Sequence, residues 1–183
     1  HAIKRYGGFH PRLEPLYEEA IRDTIEHFEA TGSPVITDGE QRKYHNFATY
    51  CVEGLPNTAP DGFELPFADG HSRRWRRRTA GPFRYVMHGY DFLDRAMKYA
   101  HVPVKQAIIS PSALSLMYPA ENLPDYSREE FIADLLGEHE REIRGCLAKG
   151  AYNVQIDFTE GRLAIKLDPS GWLLNGFIEL INI

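Results

Sequence analysis

The chain has 183 residues, 43% of them hydrophobic and 26% charged, with a formal net charge of −5. That length and composition predict one soluble globular domain with a real core, and the acidic balance argues against general binding to nucleic acid. No apolar run approaches the roughly 20 residues of a membrane-spanning helix, and the two cysteines, Cys51 and Cys146, suit a reducing, cytoplasmic setting and exclude a cysteine-rich metal knuckle.

In chain order, "PRLEPLYEEAIRDTIEHFEATG" predicts an amphipathic helix with Leu13, Leu16, Ala20, Thr24 and Phe28 on one face and Gly32 as its C-terminal cap. "SPVITDGE" follows as a short strand running into Asp38, Gly39 and Glu40. "YHNFATYCVEGL" fits either a second helix or an irregular segment near a site. Residues 57–87 are rich in Pro and Gly, with "FELPF" and "PFRYVM" as strand-like pieces of a hairpin insertion around the basic "HSRRWRRR". "YDFLDRAMKYA" predicts a short helix with Asp91 as N-cap, and "VPVKQAIISP" a strand ending in Ser110 and Pro111. "YSREEFIADLLGEHEREIRGCLAKG" is the clearest helix: Ser127 and Glu130 form a capping box, Phe131, Leu135, Ile143 and Leu147 a stripe, and Gly150 the stop. "AYNVQID" is a third strand, followed by a loop and a last helix from about Ser170.

Strands alternating with helices imply a parallel sheet with crossover connections. Each strand ends in polar residues, at Asp38–Glu40, Ser110–Ser112 and Asp157–Glu160, and in such folds the C-terminal strand ends carry the chemistry. Glu40 and Asp157 could therefore face one pocket, holding a ligand ammonium group or dividing acid and base roles. The plainer alternative is that each caps a helix or pairs with Arg42 or Arg162. The run Arg73, Arg74, Trp75, Arg76, Arg77, Arg78 fits a solvated hairpin tip, a clamp for a small polyanion, or a nucleic-acid contact that the net charge weakens. The histidines lack metal-ligand spacing, and no dinucleotide fingerprint, P-loop or nucleophile elbow is present. Cys146 lies on the helix stripe, as a structural thiol would.

Taken together, "ITDGEQR", "VPVKQAIISPSAL" and "GAYNVQIDFTEGRLAIKL" resemble, in that order, segments of the catalytic barrel of cobalamin-independent methionine synthases. There the signatures read H-G-E, K-x-x-x-T-G-P and Q-I-D-E-P-A. The resemblance spans residues 13 to 183 and points to the short, single-barrel methionine-synthase-like proteins of the uroporphyrinogen decarboxylase superfamily. It implies part of a (β/α)8 TIM barrel, about three or four βα units with a β-hairpin insertion, lacking the C-terminal half. It also implies zinc-dependent methyl transfer from a folate-type donor to the thiol of homocysteine, giving methionine. By resemblance, Glu40 and Asp157 hold the amino acid's ammonium group, and Ser110 and Ser112 line the pocket. Arg77 and Arg78 meet the folate, with Met117, Tyr118 and Glu160 on the same side.

The chain departs from the family at several points. Met117 beside Tyr118 stands where the family has a Trp that stacks on the folate, Phe158-Thr159 replaces Glu-Pro, and a downstream family Glu aligns with Leu163. These changes leave open a related alkyl transfer to another thiol, such as coenzyme M. The family's zinc ligands, an H-x-C pair, a Glu and a later Cys, would lie beyond Ile183, so no catalytic residue and no metal ligand is expected within the chain. Because open parallel edges are avoided, the expectation is a piece of a longer polypeptide, a chain completed by a second one, or a truncated, non-catalytic binding subunit.

Overall fold

The computed structural model describes residues 10–43, 49–66, 69–70 and 72–183. The chain forms two compact units, one of His1–Glu53, Val86–Ile108 and Arg141–Asp157, the other of Gly54–Tyr85, Ile109–Glu140 and Phe158–Ile183.

In the first unit a single 3-10 turn, Pro11–Leu13, leads into α1, Glu14–Ala30. Its buried positions are Ile21 and Ile25, preceded by buried Leu13, while Leu16 and Phe28 are exposed. The buried face therefore runs at a constant spacing of four from Leu13, with Tyr17 half-buried. The expected Leu16–Phe28 face lies one position off, because both stripes satisfy a helical period and only packing selects one. Helix α2, Tyr90–Met97, buries Phe92, Leu93 and Ala96. Asp91 is not its N-cap: it sits inside the first turn, and its Oδ2 accepts the N–H of His88 at 2.9 Å.

"SPVITDGE" makes no extended strand but one parallel bridge, Ile36 to Val104, with Ile36 N donating to Pro103 O at 3.0 Å and Lys105 N to Ile36 O at 2.8 Å. The strand β5, Gln106–Ile109, is buried at every residue, as a strand covered on both faces must be. It pairs with β6, Val154–Asp157. Tyr152 N donates to Val104 O and Gln106 N to Asn153 O, so positions advance together as in a parallel pair. Ile21, Ile25, Ile36, Leu93, Ala96, Val104, Ile108, Cys146 and Ala151 close this core.

The second unit holds the insertion. Strand β1, Thr58–Ala59, pairs antiparallel with β4, Arg77–Arg78, and β2, Glu64–Pro66, with β3, Ser72–Arg74. "PFRYVM" is not a strand. The N–H of Phe83 goes to Asp134 Oδ2 at 3.0 Å and that of Tyr85 to Glu138 Oε2 at 3.2 Å, so side-chain carboxylates replace a neighbouring strand. Phe83, Tyr118, Tyr126 and Phe131 pack edge-on or tilted into an aromatic core.

Two helices were not expected. Helix α3, Pro111–Ser115, follows β5 directly, with Ser110 Oγ accepting from Ala113 N at 3.2 Å and Pro111 at the first position. Helix α5, Glu160–Leu167, occupies the expected loop, ahead of α6, Trp172–Ile181. Between them lies α4, Arg128–Ala148. Its capping box is present, Ser127 N to Glu130 Oε2 at 2.7 Å and Glu130 N to Ser127 Oγ at 3.1 Å. Of its expected stripe, Phe131 and Leu135 are fully buried and Ile143 packs on the core, with Cys146 buried beside them, but Leu147 is exposed, and Glu138, His139 and Glu142 are buried as well.

Candidate functional site

The direction of the strands decides what can meet. Since Ile36, β5 and β6 run parallel, the residues after Ile36 and those ending β6 leave the same edge of the sheet. Glu40 and Asp157, both in the first unit, stand beyond that edge. Glu40 reaches its place through a strained turn: Gly39 has φ +66° and Glu40 φ +59°. A Cβ on Gly39 would fall 2.6 Å from Thr24 Cγ2, so glycine is required there. A non-glycine residue in the left-handed region is costly and concentrates at functional sites. Asp38, buried, secures the turn by accepting Glu40 N at 2.8 Å.

Lys43 was not foreseen. Its side chain is buried, and its Nζ donates to Glu40 Oε1 at 2.5 Å and to Ala107 O at 2.7 Å near the end of β5. Nothing in "GEQRK" marks that lysine, because its partner is a strand carbonyl 64 residues away. Glu40 Oε2 remains open. At Asp157, Gln155 Nε2 donates to Oδ1 at 2.7 Å, which leaves Oδ2 open as well. The first unit thus offers two carboxylate oxygens without partners among the described residues, on one edge of a parallel sheet.

The second unit gathers three other anticipated residues. Ser110 and Ser112, both fully buried, donate to the same oxygen, Glu160 Oε1. Burial pushes the Glu160 carboxyl up from the ordinary range.

The donor-side residues are placed differently from one another. Arg78 is fully buried at the base of the insertion, donating to the carbonyls of Pro56 at 2.9 Å, Ala80 at 2.5 Å and Pro82 at 2.9 Å. Met117 and Tyr118 are core residues, with the Tyr118 hydroxyl donating to Tyr126 O at 2.7 Å. Arg77 keeps partial exposure and pairs with Asp61. Most of the arginine run is satisfied locally, Arg74 by Glu64 and Arg76 by Thr58.

No protein-family model matches the chain, and no curated protein matches its sequence. Solved structures do. A B12-independent methionine synthase from Shewanella sp. W3-18-1, in complex with selenomethionine, superposes with a TM-score of 0.68 at 17% identity, covering 93% of this chain and 49% of that one. A putative B12-independent methionine synthase from Listeria monocytogenes gives 0.65 at 24% identity, covering 93% and 50%. The fold is part of an α/β barrel. The chain spans about half the length of these structures.

Among the described residues no three His, Cys, Asp or Glu side chains stand together as a metal site would require, so these residues do not fit the zinc that the sequence resemblance implies. Both cysteines are buried and unbridged, and burial raises the Cys146 thiol to about 12, which makes it inert. None of the described helices is long and apolar enough to cross a membrane. His45 and His71 lie outside the described residues, as do residues 44–48 of "YHNFATYCVEGL"; the remainder, 49–55, forms turns and no helix.

Proposed function

We propose that the chain carries the amino-acid-binding part of a cobalamin-independent, zinc-dependent transferase that moves a methyl group from a folate-type donor to the thiol of homocysteine. The observation that carries this reading is the shared sheet edge on which Glu40 and Asp157 stand, in the fold of B12-independent methionine synthases. One of those synthases was solved with selenomethionine, an amino acid with the same ammonium and carboxylate ends as homocysteine.

An ammonium group has three donors and seeks charged acceptors. Glu40 Oε2 and Asp157 Oδ2 supply two, and Lys43 fixes the orientation of the first by holding Oε1. Zinc, when bound, would lower the thiol's pKa and make it a thiolate nucleophile. Its ligands, in this proposal, are residues other than those described. Of the donor-side residues, Arg77 offers surface to a folate, whereas Arg78, Met117 and Tyr118 act from within the core.

Isothermal titration of the chain with L-homocysteine tests the reading. Binding that weakens about tenfold or more in Asp157→Ala is expected, the cost of a charge-assisted hydrogen bond. An Asp157→Ala affinity equal to wild type removes the ammonium role. Coenzyme M, a thiol without an ammonium group, is expected to bind the wild type and Asp157→Ala alike.

A further inference from the structure

The cluster of Ser110, Ser112 and Glu160 has an odd hydrogen-bond arrangement. A carboxylate ion has two equivalent oxygens and about four acceptor positions. Here both serine hydroxyls converge on Oε1, while Oε2 is buried and has no hydrogen-bond partner. Glu160 is only 5% exposed, and no cation pairs with it among the described residues. Helix α3 has no charged residue, and the charged residues of α5 and α6 nearest in sequence, Arg162, Lys166 and Glu179, are exposed.

A buried carboxylate with one unsatisfied oxygen and no counter-charge is expensive, and adding a proton to that oxygen removes the charge. Several groups oppose this: the serine hydroxyls favour the ion, the backbone N–H groups of Glu160 and Ala113 do so more weakly, and Glu160 lies in the first turn of α5. Burial is the larger effect and wins.

We propose that Glu160 is a neutral carboxylic acid at neutral pH, with its proton on Oε2, and that in this form it is a positioning residue for the turn after β5. It ties the turn after β5, through Ser110 and Ser112, to the first turn of α5, three residues after Asp157. The two serines turn their hydroxyl hydrogens onto Oε1, and Ser110 keeps a lone pair for the Ala113 N–H that starts α3. A neutral clamp joins these two elements of the second unit without burying a charge.

Two measurements on the full chain decide it. The first is the infrared difference spectrum of wild type minus Glu160→Gln at pH 7. A protonated-carboxyl C=O band lost in the variant is expected, and a carboxylate band in its place overturns the proposal. The subtraction removes the contribution of every other acid, and the spectrum needs no ligand. The second is urea unfolding at pH 7. Glu160→Ala is expected to lower the midpoint, and Glu160→Gln, neutral and of the same shape, to restore it. Glu160→Gln as unstable as Glu160→Ala would mean that charge, not position, matters, and overturns the proposal.

Discussion

The hydroxyl of Tyr50 donates to Glu142 Oε1 at 2.6 Å, and the backbone N–H of Gly89 reaches the same oxygen at 2.6 Å. Glu142 Oε2 is buried without a partner, and burial lifts the carboxyl from its usual 4.5 to about 7 despite the two donors. Lys43 acts in the opposite sense and Asp91 in the same one, while Cys51 and Cys146, which feel its charge, are themselves held protonated. In the folded state Glu142 binds its proton more tightly than in the unfolded chain. Its contribution to stability is therefore full below pH 4.5 and is lost as pH rises through about 7. The loss is on the order of 3 kcal/mol. Urea unfolding at pH 5 and pH 8 should show it, and Glu142→Gln should flatten the difference. An equally steep wild-type-like slope in the variant would place the effect elsewhere.

Glu18 acts at the other end of the scale. Tyr99, Arg42, Arg95 and Lys98 all donate to it, and they hold its carboxyl down to about 2. A depressed pKa means stability that is present above the ordinary value of 4.5 and lost as pH falls toward 2. Solvent near the pair reduces the gain to roughly 1–2 kcal/mol. Acid titration followed by circular dichroism should shift its midpoint upward in Glu18→Gln; an unmoved midpoint would show the network contributes little.

Arg78 holds three backbone carbonyls from inside the second unit. Methionine fills much of the same space but leaves those acceptors without donors. Arg78→Met should cost about 3 kcal/mol or more, and Arg78→Lys should recover only part, since one ammonium cannot reproduce the guanidinium fork. Denaturant unfolding of both variants measures this directly.

Two glycines on α4 should respond with opposite signs to alanine. A Cβ on Gly137 meets nothing within 4 Å, so Gly137→Ala should stabilise by up to about 1 kcal/mol through helix propensity. A Cβ on Gly145 would fall 2.2 Å from Tyr90 Cδ1, and Gly145→Ala should instead cost roughly 1–3 kcal/mol. Two melting curves settle the pair.

Local chemistry was legible where a residue answers to its neighbours. The Ser127–Glu130 capping box and the buried run of β5 follow from spacing and composition, and the short α3 was signalled by Ser110-Pro111, although the strand reading ran over it. Burial of the acids on α4 was not legible. A Glu at position 138 or 142 normally marks a solvated face; here Glu138 accepts the N–H of Tyr85, and Glu142 the N–H of Gly89 and the Tyr50 hydroxyl, donors that lie more than fifty residues away in the chain.

By itself, the sequence determined the alternation of helix and strand and the polar ends of β5 and β6, because side-chain periodicity and turn chemistry act over a few residues. Only the tertiary structure decided which face of α1 is buried, that Arg78 belongs to the interior, and that Lys43 holds Glu40 against the Ala107 carbonyl. It also joined Ser110, Ser112 and Glu160, about fifty residues apart in the chain, around one oxygen. Such pairings depend on which backbone and side-chain groups are left without partners once the chain has closed, and that requirement has no local signature.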